Sequence, residues 1–249
     1  MRYFIELAYN GTSYHGWQMQ PNAVSVQEVL EKTLSTFFRE EVKVVGAGRT
    51  DAGVHARQLF AHFDVAEAIE VEKTVYKLNS FLPKDISIQG IRNVADEAHA
   101  RFHATSREYE YLITLRKDPF QQDLAYQINL KPDVALMNKA AEILLLYSDF
   151  QCFSRSNTDV KTYLCRVTKA VWEMEGFTLK FTITADRFLR NMVRAIVGTL
   201  LDVGFGKITL DQVHEIIKSK DRSNAGASAP AHGLYLTKVC YPHTIFVTK

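Results

Sequence analysis

The chain has 249 residues, 47% hydrophobic and 23% charged, the balance of a soluble globular protein with room for one long domain or two modest ones. A formal net charge of +2 excludes binding of nucleic acid by bulk charge, so any basic surface has to come from local clustering. Three widely spaced cysteines, Cys152, Cys165 and Cys240, argue against a disulfide framework and against a zinc site, which fits a reducing, cytoplasmic setting.

The first residues are strand-like at once, with no basic-then-apolar signal pattern, and no apolar run reaches membrane-spanning length. Tyr3, Ile5, Leu7 and Tyr9 alternate as on a half-buried strand, and Asn10-Gly11 ends it in a turn. Ser25 and Glu28 have the spacing of a capping box, and Val26, Val29, Leu30, Leu34 and Phe37 then recur at helical spacing. Two β-prone runs follow, Val42, Val44 and Val45, then Leu59, Phe60, Phe63 and Val65. Residues 71–81 read as a second helix stopped before Pro83, and residues 86–94 as another strand. The order strand-helix-strand-strand-helix-strand is that of a split βαβ unit. A second half begins near Arg107. Its strand carries Tyr109, Tyr111, Ile113 and Leu115 on one face, and Asp133 can cap a helix bearing Leu136, Ala140, Ile143 and Leu144. Residues 154–161 read as a polar loop. Residues 167–172 and 177–184 pair about a turn at Glu175-Gly176. A long helix is expected over 187–203, a short one over 210–217, a polar loop over 221–232 and a last strand over 234–240.

One stretch concentrates chemistry. Gly46, Gly48 and Gly53 frame Arg49 and Asp51 between the two β-prone runs. An ionised carboxylate there can serve as nucleophile or base, although an ordinary glycine turn with a local ion pair explains the spacing as well. In the expected helix at 187–203, Phe188, Met192, Ile196, Leu200 and Val203 share one face while Arg187, Arg190 and Arg194 lie opposite. Periodicity alone reads the arginines as a solvated stripe. Tyr109 and Tyr111 read as core aromatics. His99 and His103 lack an acidic or cysteine partner at metal-ligand spacing, and Gly46-Ala47-Gly48 lacks the other features of a dinucleotide or Walker loop.

The string Gly48-Arg49-Thr50-Asp51-Ala52-Gly53-Val54-His55 resembles the active-site loop of the TruA-type tRNA pseudouridine synthases. Four further motifs match in the family's order: Tyr14-His15-Gly16-Trp17-Gln18, His99-Ala100-Arg101-Phe102, Phe188-Leu189-Arg190-Asn191-Met192-Val193-Arg194 and Ala229-Pro230-Ala231-His232-Gly233-Leu234-Tyr235-Leu236. The resemblance covers nearly the whole chain. It implies an α+β fold of two ferredoxin-like half-domains, 1–105 and 106–249, sharing an antiparallel sheet with a central active-site cleft. It implies isomerisation of uridine to pseudouridine at positions 38, 39 and 40 of the tRNA anticodon stem-loop, by a homodimer, without cofactor or metal. By the same resemblance Asp51 is the catalytic aspartate and Arg194 the arginine paired with it. Arg49 contacts RNA, Tyr109 stacks on the target uracil and Leu234 lines the pocket. Ala195 and Ser228 depart from the family's common asparagine and threonine, and residues 154–165 match poorly. A non-catalytic RNA-binding protein of the same fold accounts for the aromatics and arginines but gives no reason for Asp51. A nucleoside glycosidase would need a second, water-activating acid that no motif supplies.

Overall fold

A computed structural model of the chain describes residues 1–155 and 161–247, so most of the loop expected over 154–161 lies outside the described residues. The chain divides into two compact units, Met1–Thr105 with Tyr235–Lys249, and Ser106–Leu234. Among the described residues no helix is long and apolar enough to cross a membrane.

The first unit contains β1 (Arg2–Tyr9), α1 (Val26–Phe38), β2 (Val45–Gly46), β3 (His55–Asp64), α2 (Val71–Phe81) and β4 (Ile86–Asn93). β1 lies between β4 and β3, antiparallel to both. β3 divides its other edge. β2 pairs antiparallel at Val45↔His62, and β9 (Leu234–Cys240) pairs parallel at His55↔Tyr235 and Ala56↔Leu236. Through this pairing the C-terminal strand joins the sheet of residues 1–105.

Local chemistry sets these boundaries. The Ser25 hydroxyl accepts the Glu28 amide and starts α1, whose Val26, Leu30 and Leu34 are fully buried. Each such side chain contributes about 1.5–3 kcal/mol of burial. The run from Val42 to Val45 is β-prone, yet only Val45–Gly46 forms a strand. Helix side chains hold the amides a strand would pair, with Val42 donating to Ser35 Oγ at 2.9 Å and Val44 to Glu31 Oε1 at 3.1 Å. On the edge strand β4, Asn79 of α2 both donates to the Ile88 carbonyl and accepts from its amide. These bonds occupy groups that would otherwise template further pairing.

The second unit contains β5 (Ser106–Thr114), β6 (Tyr126–Gln127), α3 (Val134–Leu144), β7 (Val167–Glu175), β8 (Thr178–Ala185), α4 (Met192–Gly204) and α5 (Leu210–Ser219). β8 is antiparallel to β5 and β7, and β6 runs parallel to β5. The β7–β8 hairpin turns at Gly176 (φ +58°), and Trp172 stacks on Phe181 across it at 4.8 Å. Asp133 caps α3 as expected. Both units are α+β and both contain parallel as well as antiparallel pairs, so the pairing is mixed where an antiparallel sheet was expected.

The long helix expected over 187–203 begins five residues later, at Met192. Asp186 Oδ1 accepts the Arg166 and Arg187 amides, and the Arg190 carbonyl accepts from the Arg155 amide. Asn191 sits at φ +66° with its side chain donating to Ser228 Oγ at 2.6 Å. Local and long-range bonds thus hold residues 187–191 outside the helix. α4 is also buried on more than the one face expected, for Val193, Ala195, Val197 and Leu201 join Met192, Ile196, Leu200 and Val203 in the interior.

Candidate active site

Asp51 lies half-buried in the loop between β2 and β3, with Arg49 exposed two residues before it. Residues 9–17, which leave the end of β1, form a strap against this loop. Tyr9 Oη and Thr50 Oγ1 are 2.9 Å apart. The Trp17 amide donates to the Thr50 carbonyl at 3.3 Å, and the Gly53 amide to the Tyr14 carbonyl at 3.2 Å. The Gly11 amide donates to His55 Nδ1 at 3.0 Å, while the Val54 amide closes a tight turn on the Asp51 carbonyl at 3.1 Å. Both flanks of Asp51 are therefore tied to one neighbouring segment.

Two glycines make the close approach possible. Gly53 takes φ +75° at the turn after Asp51. Gly16 takes φ +85° on the strap, where a Cβ would collide with the Thr50 carbonyl oxygen and lie 3.1 Å from the Asp51 carbonyl carbon. Gly48 has open space where a Cβ would stand and no positive φ, so its place in the motif has no such backbone reason.

The strap is itself anchored. Tyr14 Oη donates to Asp85 Oδ1 at 2.6 Å, and the Asn10 amide donates to the Asp85 carbonyl at 2.9 Å. Burial, then the Asp85 carboxylate, pushes the Tyr14 phenol well above its ordinary pKa, so it stays a protonated donor. His55 is buried at the start of β3 and stacks on Tyr235 of β9 at 4.6 Å, with the Arg57 guanidinium over the Tyr235 ring, 5.1 Å from its centroid.

The other sequence-predicted residues belong to the second unit. Tyr109 on β5 is half-buried, its ring edge-on to Phe188 at 5.1 Å. Tyr111, two residues on, is fully buried and donates to the Pro230 carbonyl at 2.8 Å, the core position its alternation suggested. Arg194 on α4 is half-buried. Its Nε donates to the Ala229 carbonyl at 2.7 Å, and the Ala229 amide returns a bond to the Arg194 carbonyl. This places Arg194 under the 225–230 loop, not on a solvated stripe. Arg190 is exposed and Arg187 half-buried, both in the segment that precedes the helix. Leu234, at the start of β9, is buried. Ser228 serves as a junction, accepting from Asn191 and from Arg222 Nη2 at 2.8 Å, a role that needs only its hydroxyl.

Sequence reasoning matched the motif at residues 14–18 without assigning it a role. The strap contacts run over some forty residues of separation, which no local pattern records; the one available signal was the Gly16-Trp17 pair itself. His99 and His103 instead use their Nδ1 atoms to accept backbone amides within their own turn.

The sequence signature of the tRNA pseudouridine synthases matches residues 7–103 and 140–242. That span includes Asp51, its strap, Arg194 and Leu234, and the chain belongs to the tRNA pseudouridine synthase family, whose members are isomerases. Several of its relatives within that class are of one kind. The chain is 54% identical over 247 residues to the tRNA pseudouridine synthase A of Bacteroides fragilis, covering 98% of each chain. It is likewise 54% identical over 248 residues to that of Bacteroides thetaiotaomicron, covering 98% of this chain and 92% of that protein. With the tRNA pseudouridine synthase A of Thermoanaerobacter sp. it shares 44% identity over 239 residues, covering 95% and 98%.

Proposed function

We propose that the chain converts uridine to pseudouridine in the anticodon stem-loop of tRNA, at positions 38, 39 and 40, with Asp51 as the catalytic residue. The observation that carries this reading is the loop of Asp51, tied on both flanks to the strap at residues 9–17. A carboxylate that must meet one atom of a bound base gains from a backbone fixed in advance.

The target uridine leaves the stack to be reached. Asp51 then attacks C6 of the uracil ring or C1′ of the ribose. In either course the N1–C1′ bond breaks, the base turns, and C1′ bonds to C5. The C5 proton leaves to solvent while N1 gains one, so atoms and charge balance without a redox partner or group donor. Tyr109 stacks on the flipped base, as aromatic side chains do with unstacked nucleotides. Arg194 pairs with the catalytic carboxylate, Arg49 contacts RNA and Leu234 lines the base pocket. In this reading, 1–105 and 106–249 are ferredoxin-like half-domains around one cleft, and the enzyme is a cytoplasmic homodimer. The support for these assignments is the resemblance of five ordered motifs to the family.

Release of tritium from 5-tritiated uridine in tRNA tests the reading. Wild type should release label. Asp51→Asn and Asp51→Ala should lose at least about a thousandfold in turnover, while tRNA affinity and melting temperature hold, because a nucleophile acts in the transition state. Activity within tenfold of wild type in either variant removes Asp51 from its role.

A further inference from the structure

The motif His99-Ala100-Arg101-Phe102 has no part in the chemistry above, yet residues 98–103 form one of the most heavily tied turns in the first unit. His99 Nδ1 accepts the Arg101 and Phe102 amides at 3.1 and 3.3 Å, and His103 Nδ1 accepts the His99 amide at 2.9 Å. The Ala100 amide donates to His62 Nδ1 at 3.1 Å, and Tyr241 Oη donates to the Ala100 carbonyl at 2.6 Å. Arg2, paired bidentately with Asp64, donates from Nη1 to the Ala98 carbonyl at 3.0 Å. Side chains from β1, β3 and the segment after β9 thus hold the backbone of a six-residue turn.

What this scaffold presents is a phenylalanine. Phe102 is 73% exposed. Its ring lies 4.2 Å from the His99 imidazole, and the Arg101 guanidinium stands 5.7 Å from its centroid. Burial, then the Arg2, His103 and Arg101 charges, lowers the pKa of His99, which favours a neutral ring beside Phe102. A folded chain leaves single apolar residues exposed without consequence. Here the exposed ring is fixed by side-chain bonds to its own backbone and flanked by a cation. An exposed aromatic ring with a guanidinium set over it, held rigid before binding, is a device on which proteins stack unpaired bases.

We propose that residues 98–103 form an RNA-contact site in which Phe102 stacks on an unstacked base of the substrate and Arg101 reaches the neighbouring phosphate. The proposal rests on the reading that the substrate is tRNA. Asp96 and Glu97, both exposed just before the turn, offset the charge of Arg101. Stacking therefore carries the contact and bulk attraction does not. A second copy of this chain fits the surface less well. One phenylalanine ring offers at most about 250 Å², against more than about 1,000 Å² for a stable interface, and its exposed turn neighbours Arg101 and His103 are polar.

The test is a binding titration of an unmodified tRNA transcript at several salt concentrations, with sedimentation and wild-type label release measured alongside. Phe102→Ala should weaken binding about tenfold at every salt concentration, the lower part of the range for one base–aromatic stack. Phe102→Trp should bind as wild type, whereas Phe102→Leu, apolar but without a π face, should fall with alanine. Arg101→Gln should lower the slope of log affinity against log salt by about 0.7–0.9, one phosphate contact. Alanine at wild-type affinity overturns the site, whatever the label shows. So does a leucine variant that keeps full affinity while alanine changes the oligomeric state, which assigns the surface to another copy of the chain. Loss of affinity in the alanine and leucine variants alongside a wild type that releases no label supports the site and counts against the Asp51 reading alone.

Discussion

Replacing Gly16 by alanine separates two costs that the structure superimposes at one residue. The first is conformational. At φ +85° an L-residue is strained by about 1–2 kcal/mol. The second is steric, because the new Cβ collides with the Thr50 carbonyl and only backbone movement relieves it. Overpacking of this kind costs about 1–3 kcal/mol. The expected destabilisation is therefore about 2–5 kcal/mol. Movement of the Thr50 peptide also moves Asp51, and a displacement of about 1 Å at a reacting group costs about a hundredfold in rate. Gly176→Ala is the control. It has a positive φ of +58° and open space for a Cβ, so it should lose only the conformational part and keep full turnover. Urea unfolding gives the stabilities, and label release at saturating tRNA gives the rates at a temperature where both variants are folded. If Gly16→Ala turns over like wild type, or loses no more stability than Gly176→Ala, the strap does not position the aspartate.

Substitutions at two further residues, Tyr109 and His62, probe other parts of the molecule. Tyr109→Ala should lose both tRNA affinity, by about 1–3 kcal/mol, and single-turnover rate, while Tyr109→Phe keeps the ring and should keep affinity. A slow phenylalanine variant would mean that the hydroxyl takes the C5 proton, Tyr111→Phe being the core comparison, and an alanine variant as fast as wild type would return Tyr109 to the core. His62, under the Phe102 turn, has its pKa lowered from 6.5 to about 4 by burial and the Arg2 charge. The unfolded chain binds the extra proton first, so stability should be complete above about pH 6.5 and fall as pH drops toward 4. The loss should be on the order of 2 kcal/mol, since one pKa unit is worth about 1.4 kcal/mol. Urea unfolding at pH 5 and 7.5 measures it, and His62→Gln, whose amide oxygen can still accept the Ala100 amide, should flatten that dependence; an unchanged pH profile in the variant would exonerate the histidine.

The parts of the fold that were legible in the sequence are those fixed by neighbours in the chain. Residues 71–81 were readable as a helix because apolar spacing and Pro83 act within a turn or two. β9 was readable from its own alternation, but its pairing with β3 was not, since the partner lies almost 180 residues away. The start of α4 was misread for a related reason. Phe188 and the three arginines do recur at helical spacing, yet Asp186 captures the Arg187 amide, and Arg155 and Ser228, remote in sequence, hold Arg190 and Asn191. At the candidate site, the string around Asp51 was legible by resemblance. The bonds from Tyr9, Tyr14 and Trp17 that immobilise it were not, because hydroxyl and backbone partners forty residues apart leave no periodic trace.

The parallel pairing of β9 with the first residues of β3 has a consequence for the birth of the protein. A ribosome finishes β1 through β4 early, but His55 and Ala56 wait for Tyr235 and Leu236. Between the two stretches it must translate the whole second unit, which at about 5–20 residues per second takes on the order of ten seconds. Throughout that interval the edge of β3 next to the Asp51 loop is without its last strand. The nascent chain thereby holds the Asp51 loop by the strap at residues 9–17 alone, while the start of β3 waits for its parallel partner. A chain cut short by premature termination anywhere before Leu234 would be left with the aspartate but without the neighbour that secures its strand.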